Sequence, residues 1–270
     1  MPPSKIDIKI LKCKLIDKVW LTSTIVRLRI ANKYLARFSH PGQFVNIKVA
    51  DNFTPLLRRP FSIHRVHREK GWFEILFQVV GKGTELLANS KIDDELNILG
   101  PLGNNFIIPK DCGHAILIAG GVGIAPLLFL AHELTNNNVL AVLFYGNKSK
   151  EFFCCLEDFE TLDIPYFVAT ENGSIGFKGK VTDLVMTKQE IIEQLQPIIY
   201  ACGPTPMLQR TKEIANQLGL SCQVSLETMM ACGFGVCLGC VVNSTSQSDP
   251  YKYVCKDGPV FNTNEIDLGE

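Results

Sequence analysis

A chain of 270 residues with 46% apolar content has material for about two domain cores, which excludes a disordered or fibrous protein. Twenty-seven basic residues balance twenty-seven acidic ones, so no global field draws the molecule to nucleic acid or to an anionic membrane, and no local basic patch stands out. Ten cysteines follow an N-terminus, residues 1–10, that lacks the apolar stretch of a secretion signal; the expected setting is a reducing cytoplasm, where clustered cysteines bind metal.

In chain order, the first hundred residues carry strand-like alternation at Ile6, Ile8 and Ile10, at Val45, Ile47 and Val49, and at Phe73, Ile75, Phe77 and Val79. Pro41-Gly42 and Lys70-Gly71 are turn signals, and residues 84–89 fit one short helix. The pattern predicts an antiparallel β-barrel over residues 1–103. Glycines, two asparagines and Pro109 interrupt it between Gly103 and Gly113. Apolar bursts at 115–119, 139–145, 166–169 and 198–201 then read as buried strands of a parallel α/β domain over 104–220. The longest apolar run, 115–131, is short for a membrane span and is broken by Gly120, Gly121, Gly123 and Pro126, so it reads as buried strand, loop and helix. Residues 200–204 sit where the last parallel strand is expected to finish, with 204–218 as the closing helix. A third region, 221–270, is dense in cysteine and glycine. The fold class is multidomain β plus α/β.

Cys232, Cys237, Cys240 and Cys255 have the C-x4-C-x2-C…C spacing of a plant-type [2Fe-2S] site. Gly233, Gly235 and Gly239 let the loop curl around an inorganic core and aim amides at its sulfurs. Zinc is the rival metal, although structural zinc usually shows two short C-x2-C pairs.

Arg59-Pro60-Phe61-Ser62 and Gly81-Lys82-Gly83-Thr84 suit a dinucleotide: an arginine fork grips a pyrophosphate, and the Gly83 and Thr84 amides open a helix. Gly120-Gly121-Val122-Gly123 joins a strand to a helix and presents helix amides to a phosphate, or is simply a tight connection. Cys202 and Gly203 lie at a second strand end, where such folds bind ligands. Lys148 and Lys150 follow the second parallel strand and leave NAD against NADP open.

The order R-P-x-S, G-x-G-T, G-G-x-G-x-A-P resembles the ferredoxin reductase family of flavoproteins, in which the barrel binds FAD. With the cysteine loop, and with the blocks at 201–204, 230–233, 237–242 and 254–261, the chain is similar over nearly its whole length to the electron-transfer subunits of NAD-dependent dihydroorotate dehydrogenases. The resemblance implies one FAD per subunit on Arg59, Pro60, Phe61, Ser62, Leu76, Phe77, Gln78, Gly83 and Thr84, with Leu76 to Gln78 placed by position alone. It implies one [2Fe-2S] cluster per subunit on the four cysteines, and NAD as electron acceptor near Gly120, Gly121, Gly123, Cys202 and Gly203. The implied partner is an FMN-containing catalytic subunit that oxidises dihydroorotate in pyrimidine biosynthesis, in a heterotetramer of two of each. No residue of this chain is expected to bind dihydroorotate. A short glycine run at 119–121 and a polar insert at 243–249 depart from the pattern. They leave open an NAD(P)H–ferredoxin-type oxidoreductase subunit serving another redox partner, although Cys232, which some such relatives replace by aspartate, favours the first reading.

Overall fold

The computed structural model describes residues 7–50 and 54–269, so Ile6 of the first predicted strand lies outside the described residues. Six strands, β1 (Lys9–Trp20), β2 (Ile25–Ala31), β3 (Phe44–Lys48), β4 (Arg59–His67), β5 (Trp72–Gln78) and β6 (Glu95–Leu102), close into an antiparallel barrel in the order β1-β2-β5-β4-β3-β6. Two short helices, α1 (Lys33–Phe38) and α2 (Lys82–Ala88), follow β2 and β5.

Period-two alternation decides what fills the barrel. Val26, Leu28 and Ile30 of β2 are fully buried, while Arg27 and Arg29 take the outer face. In β1 the buried set is Cys13 and Leu15, whereas Ile8 and Ile10 are exposed. The isoleucine alternation therefore marks the outer face, continued by Lys12 and Lys14. Strands β2, β4 and β6 go beyond the predicted set, because arginines and prolines interrupt their apolar runs. Glu74 is fully buried although it lies on the outer face, since three arginines from the flanking strands β2 and β4 close over it: Arg29 Nη2 is 2.8 Å, Arg65 Nε 3.5 Å and Arg27 Nε 3.6 Å from its carboxylate.

The second sheet has seven strands. Its parallel part is built from β7 (His114–Gly120), β8 (Leu140–Asn147), β9 (Tyr166–Thr170), β10 (Phe177–Lys178), β11 (Ile198–Cys202) and β12 (Cys222–Ser225), in the order β10-β9-β8-β7-β11-β12. The crossover helices are α3 (Ile124–Asn136), α4 (Leu156–Thr161), α5 (Val181–Met186), α6 (Gln189–Leu195) and α7 (Thr205–Leu218). Residues 115–131 form β7, a single 3-10 turn over Gly121–Gly123 and the first half of α3. That helix is buried on most of its circumference because it lies between the sheet and barrel strand β4. Among the described residues, no helix is long and apolar enough to cross a membrane.

Strand β11 is not the last parallel strand, and α7 does not close the domain. Beyond it β12 pairs in parallel with β11, and a final antiparallel strand over Val260–Asn262 pairs with β12. The four residues of β12, Cys222 to Ser225, are too few to register as a periodic signal. The cysteine-rich region consists of the hairpin strands β13 (Val241–Asn243) and β14 (Tyr251–Tyr253), the single turn α8 (Val254–Asp257) and β15 (Val260–Asn262). It leaves the α/β sheet after β12 and returns to it at β15.

Candidate functional site

The order of strands reverses between β7 and β11, and open α/β sheets bind ligands outside the carboxyl ends at such a point. There the two strand ends meet in near contact. A Cβ on Gly123 would lie 2.1 Å from the Cys202 carbonyl oxygen, and one on Gly203 would lie 3.0 Å from the Gly120 backbone. Gly121 adopts φ +55°, in the left-handed region, and faces the Asn147 side chain. Gly120, Gly121, Gly123, Cys202 and Gly203 thus come together, and close packing gives a structural reason for the glycines. Cys202 is sealed beneath them. Burial, then the Glu227 carboxylate, push its thiol up, against a lowering hydrogen bond with Ser225.

Beside this junction is a cavity of about 350 Å³ with walls from all three regions. The barrel contributes Pro60, Phe61 and Ser62 of β4, Leu76, Phe77 and Gln78 of β5, and Thr84 of α2. The α/β domain contributes Val122 and Ala125, and the cysteine-rich region contributes residues 225–228, Met230 and Pro259. Seven of the nine residues expected at the flavin therefore line one space. The other two, Arg59 and Gly83, pack against each other at its edge, where a Cβ on Gly83 would meet Arg59 Nε at 2.8 Å. The Arg59 guanidinium donates to the Leu57 carbonyl at 2.8 Å, which holds it in place. Thr84 uses its hydroxyl to cap α2, accepting from the amides of Val80 and Gly81 at 3.0 and 3.1 Å, so its backbone is what remains for a ligand.

Two features of the cavity lay outside sequence reasoning. The Thr228 hydroxyl is buried without a hydrogen-bond partner and lies in the wall, an orphan of the kind a polar ligand satisfies. Glu227 lines the same space, exposed to it, and the surrounding protein raises its carboxyl above the usual range by desolvation. Only the position of Glu227 and Thr228 just after strand β12 marks them out.

The four cysteines form two pairs. Cys240 and Cys255 are buried, with sulfurs 3.2 Å apart, and the Cys255 amide donates to the Cys240 sulfur at 3.4 Å. Cys232 and the exposed Cys237 form the outer pair, the Cys237 amide donating to the Cys232 sulfur at 3.4 Å. The Gly235 amide reaches the Cys255 sulfur at 3.1 Å and joins the pairs. Gly233 and Gly235 carry φ of +80° and +87°, so the predicted curl of the loop needs both glycines. Burial raises the Cys232 thiol, but the amides of Phe234, Cys237 and Val236 and the Cys237 thiol outweigh it and bring it down to about 6. Burial and the adjoining Cys240 push Cys255 up to about 12. Among the described residues, no three His, Cys, Asp or Glu side chains gather as a single metal ion requires. Two cysteine pairs, with amides directed at sulfur, suit two irons better than one tetrahedral zinc.

The remaining predicted features stay apart from the site. Lys148 and Lys150 are exposed. His64, two residues beyond Ser62, is fully buried, with Nδ1 2.8 Å from the Ala125 carbonyl, and so joins barrel to α/β domain.

Residues 227–267 match the family model for the iron–sulfur cluster binding domain of dihydroorotate dehydrogenase B, and residues 117–213 match that for an oxidoreductase NAD-binding domain. The chain is similar to the dihydroorotate dehydrogenase B (NAD(+)) electron transfer subunit of Desulforamulus reducens, with 39% identity over 84% of this chain and 86% of that one. It is similar to the subunit of the same name from Fusobacterium nucleatum, with 33% identity over 96% of this chain and 99% of that one. Among solved structures it resembles an NADH-dependent reduced ferredoxin-NADP oxidoreductase described for flavin-based electron bifurcation, with TM-score 0.83, 28% identity, and coverage of 99% of this chain and 92% of that one. It shares its fold with a ferredoxin-NADP+ reductase from Plasmodium falciparum, with TM-score 0.65 and 19% identity over 77% of this chain and 91% of that one. The barrel, the α/β sheet and the cysteine loop thus identify the chain as a member of the dihydroorotate dehydrogenase B (NAD(+)) electron transfer subunit family.

Proposed function

We propose that this chain passes electrons between an FMN-containing dihydroorotate dehydrogenase catalytic subunit and NAD, through one [2Fe-2S] cluster and one FAD per subunit, in the cytoplasm. Dihydroorotate is oxidised on the partner, and two copies of each subunit assemble. The observation that carries the reading is the shared cavity: residues expected at a flavin line it together with Met230, which is two residues from the first cluster cysteine. A nicotinamide exchanges electrons in pairs and a [2Fe-2S] cluster singly, and a flavin does both.

Three working segments follow, 1–103 for the flavin, 104–220 for the nicotinamide and 221–270 for the cluster. Arg59 and the amides of Gly83 and Thr84 hold the pyrophosphate. Pro60, Phe61, Ser62, Leu76, Phe77 and Gln78 hold the ring system, with Ser62 and Thr228 offering hydroxyls. Gly120, Gly121, Gly123, Cys202 and Gly203 form the floor against which the nicotinamide approaches. Cys232, Cys237, Cys240 and Cys255 ligate the irons, and Cys237, as the exposed ligand, faces the partner.

Co-expression with candidate FMN dehydrogenases, followed by assay of dihydroorotate-dependent NAD reduction, tests the proposal. In the active pair, Cys237→Ser is expected to abolish that reaction and to leave NADH-driven reduction of small dyes largely intact. Full flavin and iron loading with no activity alongside any such partner would favour the ferredoxin-type reductase instead.

A further inference from the structure

Strand β3 runs beside the segment leading into the cluster loop, and the two keep step. Phe44 and Met230 both line the cavity. Two residues further along each segment, the Asn46 amide Nδ2 donates to the Cys232 carbonyl at 3.2 Å. Asn46 is fully buried on the outer face of the barrel, and Gly233 lies so close that a Cβ there would fall 2.4 Å from Asn46 Nδ2. No other residue type at 233 leaves room for this contact. Asn46 is itself held within the barrel, pairing with Pro60 of β4 and Leu99 of β6. Its carbonyl accepts from Arg58 at 3.3 Å, and Arg58 also donates to the Asn97 side chain at 2.7 Å. Adjacent arginines thus serve opposite ends of the site, Arg59 beside Gly83 and Arg58 behind Asn46.

Resting on the reading above, we infer that Asn46 is a positioning residue, which ties the Cys232 end of the cluster loop to the flavin barrel and so sets where the cluster sits relative to the cavity. Two residues of strand span roughly 7 Å, so the tie lies one side-chain pitch from the cavity wall. Cys232 belongs to the outer pair, the more exposed of the two. An asparagine suits the task because its amide donates to a carbonyl without bringing a charge beside the cluster.

The test compares the holoprotein with Asn46→Leu, which keeps the volume and removes the donor. Iron release to a chelator is expected to be about tenfold faster, equal to roughly 1.4 kcal/mol, the scale of one lost hydrogen bond. The electron paramagnetic resonance spectrum of the reduced cluster is expected to shift, while flavin absorbance and NADH-driven dye reduction stay at native levels. Native release rate and spectrum in the variant would overturn the assignment, as would parallel loss of flavin and iron, which would make Asn46 a residue of barrel stability only. If Asn46→Leu does not fold, Asn46→Asp gives the same comparison with the donor replaced by an acceptor of equal size. Native protein that binds flavin but no iron would overturn the reading under which the cysteines hold a cluster, and this inference with it; a loaded native protein with an indifferent variant overturns this inference alone.

Discussion

The sharpest demands fall on single residues at the junction of β7 and β11. Gly123 has no space for a methyl group, since its Cβ would meet the Cys202 carbonyl at 2.1 Å. Gly123→Ala must push the strand ends apart, and displacements near an ångström at a reacting site are costly. NADH-driven dye reduction is expected to fall by about tenfold or more, with flavin and iron contents unchanged by absorbance and metal analysis. Glu227 is a different case, a carboxyl raised by desolvation at the cavity wall. Because the folded state then holds its proton more tightly than the unfolded chain, stability declines as pH rises from the ordinary carboxylate range through the raised value. Glu227→Gln removes that decline. Its thermal midpoint is expected to exceed the native one above this window and to match it in acid.

At the scale of elements, the barrel and the α/β sheet are joined mainly through β4 and α3. The Ala125 carbonyl can only accept, so His64 carries its proton on Nδ1, and Nε2 faces the Cys155 thiol at 3.8 Å. Burial, partly countered by the bond to Ala125, lowers the histidine to about 4. The unfolded chain binds a proton near the ordinary value of about 6.5 while the folded one does not, so stability is lost as pH falls between those limits, by roughly 3 kcal/mol at most. His64→Asn keeps a donor for Ala125 and has no titration. Urea unfolding at pH 7 and pH 5 is expected to show about 2 kcal/mol of that loss in the native protein, since pH 5 stops short of the folded value, and to lose most of it in the variant. Nearby, Arg65 of β4 bonds Asp158 of α4 as well as facing Glu74, which extends the same junction over the barrel surface.

For the whole molecule, the cysteine loop reaches the surface. Cys237 is exposed, and around it Phe234, Val236 and Leu238 are exposed apolar side chains in a loop whose glycines leave them no interior to fill. Such a patch on the electron-transfer face suits a partner subunit. Val236→Asp is expected to abolish co-purification with the catalytic subunit while flavin, iron and dye reduction persist. Loss of iron in that variant would show instead that the side chain supports the loop.

Cysteine spacing, the strand–glycine–helix texture and the R-P-x-S and G-x-G-T segments are local patterns, and the sequence alone determined from them the cysteine loop, the barrel followed by a parallel sheet, and the barrel side of the cavity wall. These features are legible because each one's chemistry is confined to a few neighbouring positions. Tertiary structure alone decided the rest. Strand β12 joins the parallel sheet through its neighbours, not through four unremarkable residues, and so placed Glu227 and Thr228 at the cavity. Asn46 and Cys232 are 186 positions apart, and only the closing of the barrel beside the cluster loop brings the amide to the carbonyl. The pairing of four cysteines into an inner and an outer couple likewise depends on β15 returning to the sheet, which carries Cys255 back against Cys240.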